Sequence, residues 1–270
     1  MLSEIYIPGF TVTSLLLTAI ICLVAVLVAW YTVRSRVKFS QIILGLFCYL
    51  LVMVLEQLFG SIPGPASGVA FGAWVVATTV IAREVVRFLG LRFGIRGRFD
   101  SAEGALGFGL GFGGLYLLVC AAYYFNLYTA ASAFTTSGAD AFAASAGTDL
   151  QDAQSLLELI AGQSGWAFLL TGVNRVFFLV RELSLSVLLW YGLDKADKRF
   201  YLFLVPLMHL IAIVPDGLYQ AGLLTSGYLR DILICLLSGS VAFLASREYN
   251  RTEDQVAHFK IEKLRARRRR

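Results

Sequence analysis

The sequence predicts an all-α, polytopic integral membrane protein with about seven transmembrane helices. Hydrophobic residues make up 58% of the 270 residues, charged residues only 15%, and the mean hydropathy is +0.72. A soluble chain of this length needs far more polar surface than that. The apolar residues also fall into runs of about 20, the length that crosses the hydrocarbon core of a bilayer. We therefore expect a single membrane-embedded domain.

Seven such runs can be placed along the chain. The predicted spans cover residues 11–33, 38–60, 67–90, 101–124, 166–193, 200–222 and 227–247. We assign residues 1–250 to the seven-helix transmembrane domain and residues 251–270 to a basic cytoplasmic tail.

Lysine and arginine are confined to alternate loops between the spans. They follow Val33, Gly90 and Gly192, whereas residues 61–66 and 125–165 contain neither. Because cytoplasmic loops carry the excess of positive charge, we expect the N-terminus outside and the C-terminus in the cytoplasm. The formal net charge is +5, and its concentration at the C-terminal end favours anionic membrane lipid as a partner. We expect no nucleic-acid partner, and we predict a multi-pass protein of the bacterial cytoplasmic membrane.

The long loop at residues 125–165 separates the fourth and fifth spans. We predict an extracytoplasmic loop of small residues at 129–148, followed by an amphipathic helix at 149–162. Asp149 and Asp152 stand where a helix N-terminus favours acidic side chains. This helix is expected to lie on the outer surface, as a flap or at the lipid interface.

The cysteines and the N-terminus carry no functional signal of their own. The cysteines are scattered through apolar segments without a CxxC pair, so we expect small buried side chains and no disulfide or zinc finger. No basic region precedes the first apolar run, so no removable signal peptide is expected. The cysteines are Cys22, Cys48, Cys120 and Cys235.

The most informative feature is a set of eight ionisable side chains inside the predicted spans. Each charged group in hydrocarbon costs roughly 2.5–3.5 kcal/mol on insertion scales, so such groups face a bundle interior, a wet cavity or a partner charge. They therefore mark either a set of internal ion pairs or a functional centre. The eight are Glu56, Arg83, Glu84, Arg87, Arg175, Arg181, Glu182 and His209.

Spacing predicts some of the pairing among these charges. Glu84 and Arg87 are three residues apart, so they can pair along one helix face. Arg181 and Glu182 are adjacent and point about 100° apart, so we expect their partners on different neighbouring helices.

Two more features point towards the centre of the bundle. His209 lies between Pro206 and Pro215, and prolines that distort a span often flank a polar cavity. A hydrogen-bonded neutral histidine is the simpler interpretation. The fourth span is rich in glycine, which either serves close helix packing or forms a thin wall beside a site at Phe112 and Tyr116.

The order of these elements is shared with a known family. The shared elements are seven spans, Leu55-Glu56, Arg83-Glu84-Val85-Val86-Arg87, Gly109-Leu110-Gly111-Phe112-Gly113-Gly114-Leu115-Tyr116, Leu183-Ser184-Leu185-Ser186-Val187-Leu188, and His209 followed by Pro215 and Leu218-Tyr219-Gln220. Over almost its whole length the chain resembles the YhfC family of glutamic-type intramembrane proteases, relatives of PrsW and of the CAAX-processing membrane proteases.

The resemblance also shows where this chain departs from the family pattern. The first family motif is a Glu-Glu pair with an arginine three residues after the second glutamate. Here the pair is Arg83-Glu84, so a cation replaces the carboxylate that the resemblance implies would activate water. In the second motif, Phe112 stands at the histidine position and Tyr116 at the glutamate position.

Two further family positions are changed towards the C-terminus. A family histidine matches Glu182, and the aspartate that follows the last family histidine by four residues matches Ile213, while His209 itself is kept. The resemblance therefore implies a catalytically degenerate member. Hydrolysis within a membrane needs a polarised water, a base and an oxyanion stabiliser, and neither phenylalanine nor arginine can act as the base. We also predict an ion pair between Arg83 and Glu182 across the former cavity.

The leading functional hypothesis is a non-catalytic scaffold that binds a transmembrane peptide or another membrane protein, with no cofactor. The residues predicted to bind are Arg83, Glu84, Arg87, Phe112, Tyr116, Arg175, Arg181, Glu182, His209 and Asp216.

Two alternatives remain open. In the first, Glu84, Glu182 and His209 form a remodelled catalytic site, and these three side chains are an adequate ligand set for a divalent metal such as zinc. In the second, the protein is a transporter or channel subunit whose central charges bind an anionic substrate. The absence of an internal repeat counts against that second alternative.

Overall fold

The computed structural model describes residues 5–65, 67–95, 101–146 and 150–268, and these residues form α-helices and no strand. A π-helical turn at Gly90–Ile95 follows the third helix, and a 3₁₀ turn at Ala196–Lys198 precedes the seventh. The helices are α1 (Gly9–Val33), α2 (Phe39–Ser61), α3 (Gly68–Leu89), α4 (Ala102–Ala146), α5 (Leu150–Ala161), α6 (Gly165–Asp194), α7 (Tyr201–Gln220) and α8 (Gly227–Arg268).

The predicted all-α, seven-span architecture is confirmed. Every one of these helices except α5 is long and apolar enough to cross a bilayer. Large apolar side chains on their outer faces are exposed, as on α7, where Phe203 is 83% exposed, and on α8, where Phe243 is 68% exposed. Such faces suit a lipid environment. The chain is therefore an integral, multi-pass membrane protein.

The fourth helix is longer than the sequence predicted. Residues 129–146 continue α4, so the small-residue loop predicted at 129–148 is wrong over that range. Alanine, the strongest helix former, supplies much of this segment, and its propensity outweighs the serine, threonine and glycine around it. The helical backbone is interrupted at Gly138, whose φ of 80° is a conformation that glycine adopts without strain.

The predicted amphipathic helix exists as α5. Leu157 and Ile160 are fully buried on one face, while Leu159 and Glu158 are exposed on another. Asp149, the residue predicted at its N-terminus, lies outside the described residues, as do Arg96 and Arg98 of the loop after α3. The backbone of α8 continues as helix to Arg268, through most of the predicted tail.

Glycine contacts fix α4 at the centre of the bundle, packed against α1, α2 and α6. A Cβ atom on Gly45 of α2 would overlap the carbonyl oxygen of Phe108, and one on Gly111 of α4 would overlap that of Ile42. On the opposite side of α4, a Cβ on Gly113 would meet the Cβ of Glu182 at 3.0 Å. The glycine-rich span therefore serves close packing, and this packing brings α6 with its charges to the centre.

Candidate functional site

The central charges come from helices that pack around one point. Helix α3 contributes Arg83, Glu84 and Arg87, α6 contributes Arg181 and Glu182, and α7 contributes His209. Helix α7 packs on both α3 and α6 and stays helical through Pro206 and Pro215, which lie on either side of His209.

Arg87 bridges the two buried glutamates. Its Nη1 donates to Oε1 of Glu84, and its Nη2 donates to Oε2 of Glu182. Nδ1 of His209 lies 2.5 Å from the same Glu84 oxygen, and its Nε2 lies 4.0 Å from Oε1 of Glu182. Arg87, Glu182 and His209 are fully buried, and Glu84 is 6% exposed. We call these four residues the arginine-bridged cluster.

The chemistry of this cluster is that of a hydrogen-bonded network centred on one arginine. Guanidinium stays protonated in proteins, and here it donates to one oxygen of each carboxylate. The local pairing predicted for Glu84 and Arg87 is confirmed. Three atoms in the cluster, Oε2 of Glu84, Nε of Arg87 and Nε2 of His209, are buried without a hydrogen-bond partner.

The other two arginines near the cluster find partners that the sequence did not predict. Arg83 donates through Nε to Glu56 at 2.8 Å, so the predicted Arg83–Glu182 ion pair is wrong. Glu182 is already held by Arg87, and Glu56 on α2 faces Arg83 because α2 and α3 pack together. Arg181 lies 3.5 Å from its neighbour Glu182, a contact that the predicted divergence of adjacent side chains excluded.

Phe112 and Tyr116, which stand at the histidine and glutamate positions of the family motif, place their aromatic rings against arginine side chains. The guanidinium carbon of Arg87 lies 5.1 Å from the ring centroid of Phe112. Tyr116 faces Arg175 at 5.2 Å and Arg83 at 6.0 Å in the same way. Cation–π contacts of this kind stabilise a buried guanidinium, and the Phe112 ring offers neither a proton acceptor nor a metal ligand.

A cavity of about 350 Å³ lies beside the arginine-bridged cluster. It is enclosed by α3, α4, α6, α7 and α8, and we call it the central cavity. It reaches the surface at the junction of α7 and α8, where Gln220 is exposed and Asp216 is half-buried. Its charged lining residues are Arg83, Arg175, Arg181, Asp216, Arg230 and Asp231.

The structure places each predicted binding residue relative to these two features. Glu84, Arg87, Glu182 and His209 form the arginine-bridged cluster, and Phe112 packs against it. The predicted residues that line the central cavity are Arg83, Tyr116, Arg175, Arg181 and Asp216.

A polar network in the cavity wall was missed by the sequence analysis. Asp231 is 3% exposed and accepts from Nδ2 of Asn174 at 2.9 Å and from Oγ1 of Thr171 at 3.2 Å. Nη2 of Arg230 lies 2.8 Å from the same carboxylate. The signal was available, because Arg230 and Asp231 fall inside the predicted span 227–247, but only three and four residues from its start.

Seven membrane-spanning helices around a buried cluster of ionisable side chains define a polytopic membrane protein with a polar centre. The chain belongs to the YhfC intramembrane metalloprotease family, whose family model matches residues 20–234. It is 25% identical over 169 residues to the uncharacterized membrane protein YhfC of Bacillus subtilis (strain 168). That match covers 62% of this chain and 64% of the relative. No solved structure matches the chain.

The family's description implies a metal, and the described side chains do not fit one. His209 lies near both Glu84 and Glu182, but the Arg87 guanidinium occupies the space between the two carboxylates. A divalent cation would have to displace it, with Arg181 adding further repulsion. Among the residues that the structure describes, no group of three or more histidine, cysteine, aspartate or glutamate side chains could hold a metal ion.

Proposed function

We propose that this protein is a non-catalytic member of its family that binds a transmembrane segment of another membrane protein. The supporting observation is the double hydrogen bond from Arg87 to Glu84 and Glu182. Both carboxylates on which acid–base or metal chemistry would depend are committed to a cation that cannot give up its proton.

The residues around the cluster support the same conclusion. An intramembrane hydrolase needs a water that is polarised by a metal or by a base. Arg83, Phe112 and Tyr116 supply two aromatic rings and a guanidinium where the family resemblance implies reactive groups. A hydrolytic step would therefore have to proceed without the reactive side chains that the resemblance implies at these three positions.

A binding role rests on the groove that remains. The central cavity and a neighbouring cavity of about 470 Å³ share Val75, Thr79 and Arg83 of α3. The second cavity continues along α3 to Phe71 and Trp74, so the two together form an elongated groove with a polar end and an aromatic end. An elongated groove that opens within a membrane protein suits a peptide segment more than a compact solute.

A cleavage assay tests the absence of catalysis. Purified protein in liposomes is mixed with a panel of fluorescent single-span peptides, with and without added zinc, and products are separated by electrophoresis. We expect no product from the wild-type protein. A product that disappears in Glu84→Gln but persists in Glu103→Gln, a substitution near the start of α4 away from the cluster, would refute the proposal.

A crosslinking assay tests the binding role. A photoreactive phenylalanine analogue at Thr79 is compared with the same analogue at Phe203, an exposed position on the lipid-facing side of α7. We expect a membrane polypeptide to be captured only from position 79, and its synthetic spanning segment to compete with capture. Equal capture from both positions, or no competition by the segment, would contradict the proposal.

One observation favours a second candidate function. Oε2 of Glu84 and Nε2 of His209 are both without a hydrogen-bond partner, and a remodelled hydrolase would use them to hold a water. The cleavage assay separates the two functions, because only the hydrolase would give a product that depends on both side chains.

A further inference from the structure

The lining of the central cavity carries more positive than negative charge. It contains four guanidinium groups and two carboxylates, which belong to Arg83, Arg175, Arg181, Arg230, Asp216 and Asp231. Arg230 is paired with Asp231 and Arg83 with Glu56, and Arg181 lies 3.5 Å from Glu182, whose other oxygen is held by Arg87. Among the described residues no carboxylate forms an ion pair with Arg175, whose guanidinium rests on the Tyr116 ring. An uncompensated cation in a membrane interior calls for a counter-charge.

Unused donors point into the same region. Nε of Arg175 and Nε of Arg181 are buried without a hydrogen-bond partner, and both side chains line the central cavity. Arg181 is only 2% exposed, so bulk water does not satisfy it. A buried donor without a partner costs roughly 1–3 kcal/mol, and more when it is charged, which a ligand that accepts from it would recover.

At the mouth of the cavity, negative charge exceeds positive charge. Arg230 faces Asp231 at 2.8 Å and Asp216 at 3.9 Å. Asp231 is occupied by Arg230, Asn174 and Thr171, whereas the side chain of Asp216 is 45% exposed and is screened by solvent. The charge that a ligand meets after it passes the mouth is therefore that of Arg175 and Arg181.

From this arrangement we infer that the central cavity binds a phosphate-type oxyanion, with Arg175 and Arg181 as its main donors. A tetrahedral anion presents enough oxygens to accept from two guanidinium groups that approach from different directions, and arginine matches phosphate geometry with paired N–H groups. The volume of about 350 Å³ is adequate for such a group. The anion is either free phosphate from the aqueous phase or the headgroup of a phospholipid, and the site does not depend on whether a peptide binds.

The test is a direct titration. Protein in nanodiscs of zwitterionic phosphatidylcholine is titrated with inorganic phosphate, with chloride at matched ionic strength as reference, and binding is followed by calorimetry. In a second arm, native mass spectrometry counts phosphatidylglycerol molecules that are retained in competition with phosphatidylcholine. Free phosphate as the ligand gives saturable heat in the first arm, and a lipid headgroup gives selective retention in the second.

Variants test whether the anion binds in the central cavity. Arg175→Gln is expected to weaken whichever binding is seen at least tenfold, and Arg175→Lys to weaken it less. Arg251→Gln, at a guanidinium that is 70% exposed on α8, should leave binding unchanged. Thr79→Glu places a carboxylate in the cavity and should abolish anion binding. Thr79→Gln, a side chain of the same size without the charge, should retain it. This pair of variants tests the inference even if Arg175→Gln does not fold.

The inference is overturned by either of two results. The first is that neither phosphate nor phosphatidylglycerol binds in preference to its reference. The second is that binding is the same in wild type, Thr79→Glu and Thr79→Gln. The peptide crosslinking assay is scored separately, so loss of one activity leaves the other measurable.

Discussion

Arg87 on α3 donates a hydrogen bond to Glu182 on α6 across 95 residues of sequence, and neither side chain is exposed. The same guanidinium holds Glu84 within its own helix, so one cation ties two helices together at the centre of the bundle. Replacing a buried ion network by apolar groups can be neutral, but removing one partner leaves the others uncompensated. The cluster therefore stabilises the fold only while all of its members are present.

Arg87→Ala should be strongly destabilising. It leaves Glu84 and Glu182 without their shared cation in a buried site, for which a loss of about 3–5 kcal/mol is expected. The measurement is equilibrium unfolding of the purified protein in mixed detergent micelles, followed by circular dichroism.

The matched control for this variant is Arg251→Ala. Arg251 lies 4.0 Å from Glu248 on α8 and its side chain is 70% exposed, so a change of less than about 1 kcal/mol is expected. Combining Arg87→Met with Glu84→Gln should recover part of the stability, because Glu84 is then uncharged and Glu182 still has Arg181 at 3.5 Å. Equal effects of Arg87→Ala and Arg251→Ala would show that the bridge does not contribute to the fold.

Removing Arg87 should also create a metal site. The wild-type protein is expected to bind no stoichiometric zinc, because the guanidinium occupies the space between the carboxylates. Arg87→Ala leaves two carboxylates and an imidazole to converge, a set that suits a divalent transition metal. Zinc should then raise the melting temperature of Arg87→Ala and leave that of the wild type unchanged, and cobalt should give a visible absorption band in the variant alone.

His209→Ala controls the metal experiment. Added to Arg87→Ala, it should remove the cobalt band, since the imidazole contributes the nitrogen ligand. Stoichiometric zinc in the wild-type protein that is lost in His209→Ala alone would instead reverse the assignment of the cluster and support a metal-dependent enzyme.

The sequence predicted the spans and the location of the centre, because both follow from local signals. Runs of apolar residues identify membrane helices, and ionisable residues within them must lie inside the bundle. The pair Glu84–Arg87 was also predictable, because its spacing lies within one helix.

Pairs between helices were not predictable in the same way. Whether Arg83 meets Glu56 or Glu182 depends on the rotation and depth of α2, α3 and α6, which are set by packing of side chains far apart in the chain. Asp231 was overlooked because a charge near a span end is normally solvated, whereas here α6 covers it with Asn174. Helix propensity over residues 129–146 was underestimated for a different reason, since serine, threonine and glycine suggested a loop where alanine decided the outcome.

The crossing of α2 and α4 should be sensitive to a single methyl group. Gly45→Ala and Gly111→Ala each place a Cβ on a backbone carbonyl of the other helix, which side-chain rearrangement cannot relieve. We expect a loss of about 1–3 kcal/mol for each, as for other overpacked sites.

Gly114→Ala is the control on the same helix. The atom nearest to its added Cβ is a valine methyl at 3.7 Å, an ordinary contact. Because alanine is favoured over glycine within a helix by roughly 0.5–1 kcal/mol, this variant should be neutral or slightly stabilising. Loss of stability in Gly114→Ala equal to that in Gly45→Ala would mean that the helix crossing is not the cause.

The orientation predicted from charge can be tested with paired reporters. Alkaline phosphatase needs the oxidising exterior to form its disulfides, so its fusion after Pro63, between α2 and α3, should be active. Its fusion after Lys195, between α6 and α7, should be inactive, and green fluorescent protein should give the opposite result at both sites. The physical basis is the lysine and arginine excess after Val33 and Gly192, which resists transfer across the membrane.

The same orientation decides from which side the central cavity is accessible. The cavity reaches the surface where α7 meets α8, so it should open to the outside, and phosphate added to sealed, right-side-out vesicles should reach it. The reverse reporter pattern would place the cavity mouth in the cytoplasm, and phosphate would then reach it only from inside the vesicle.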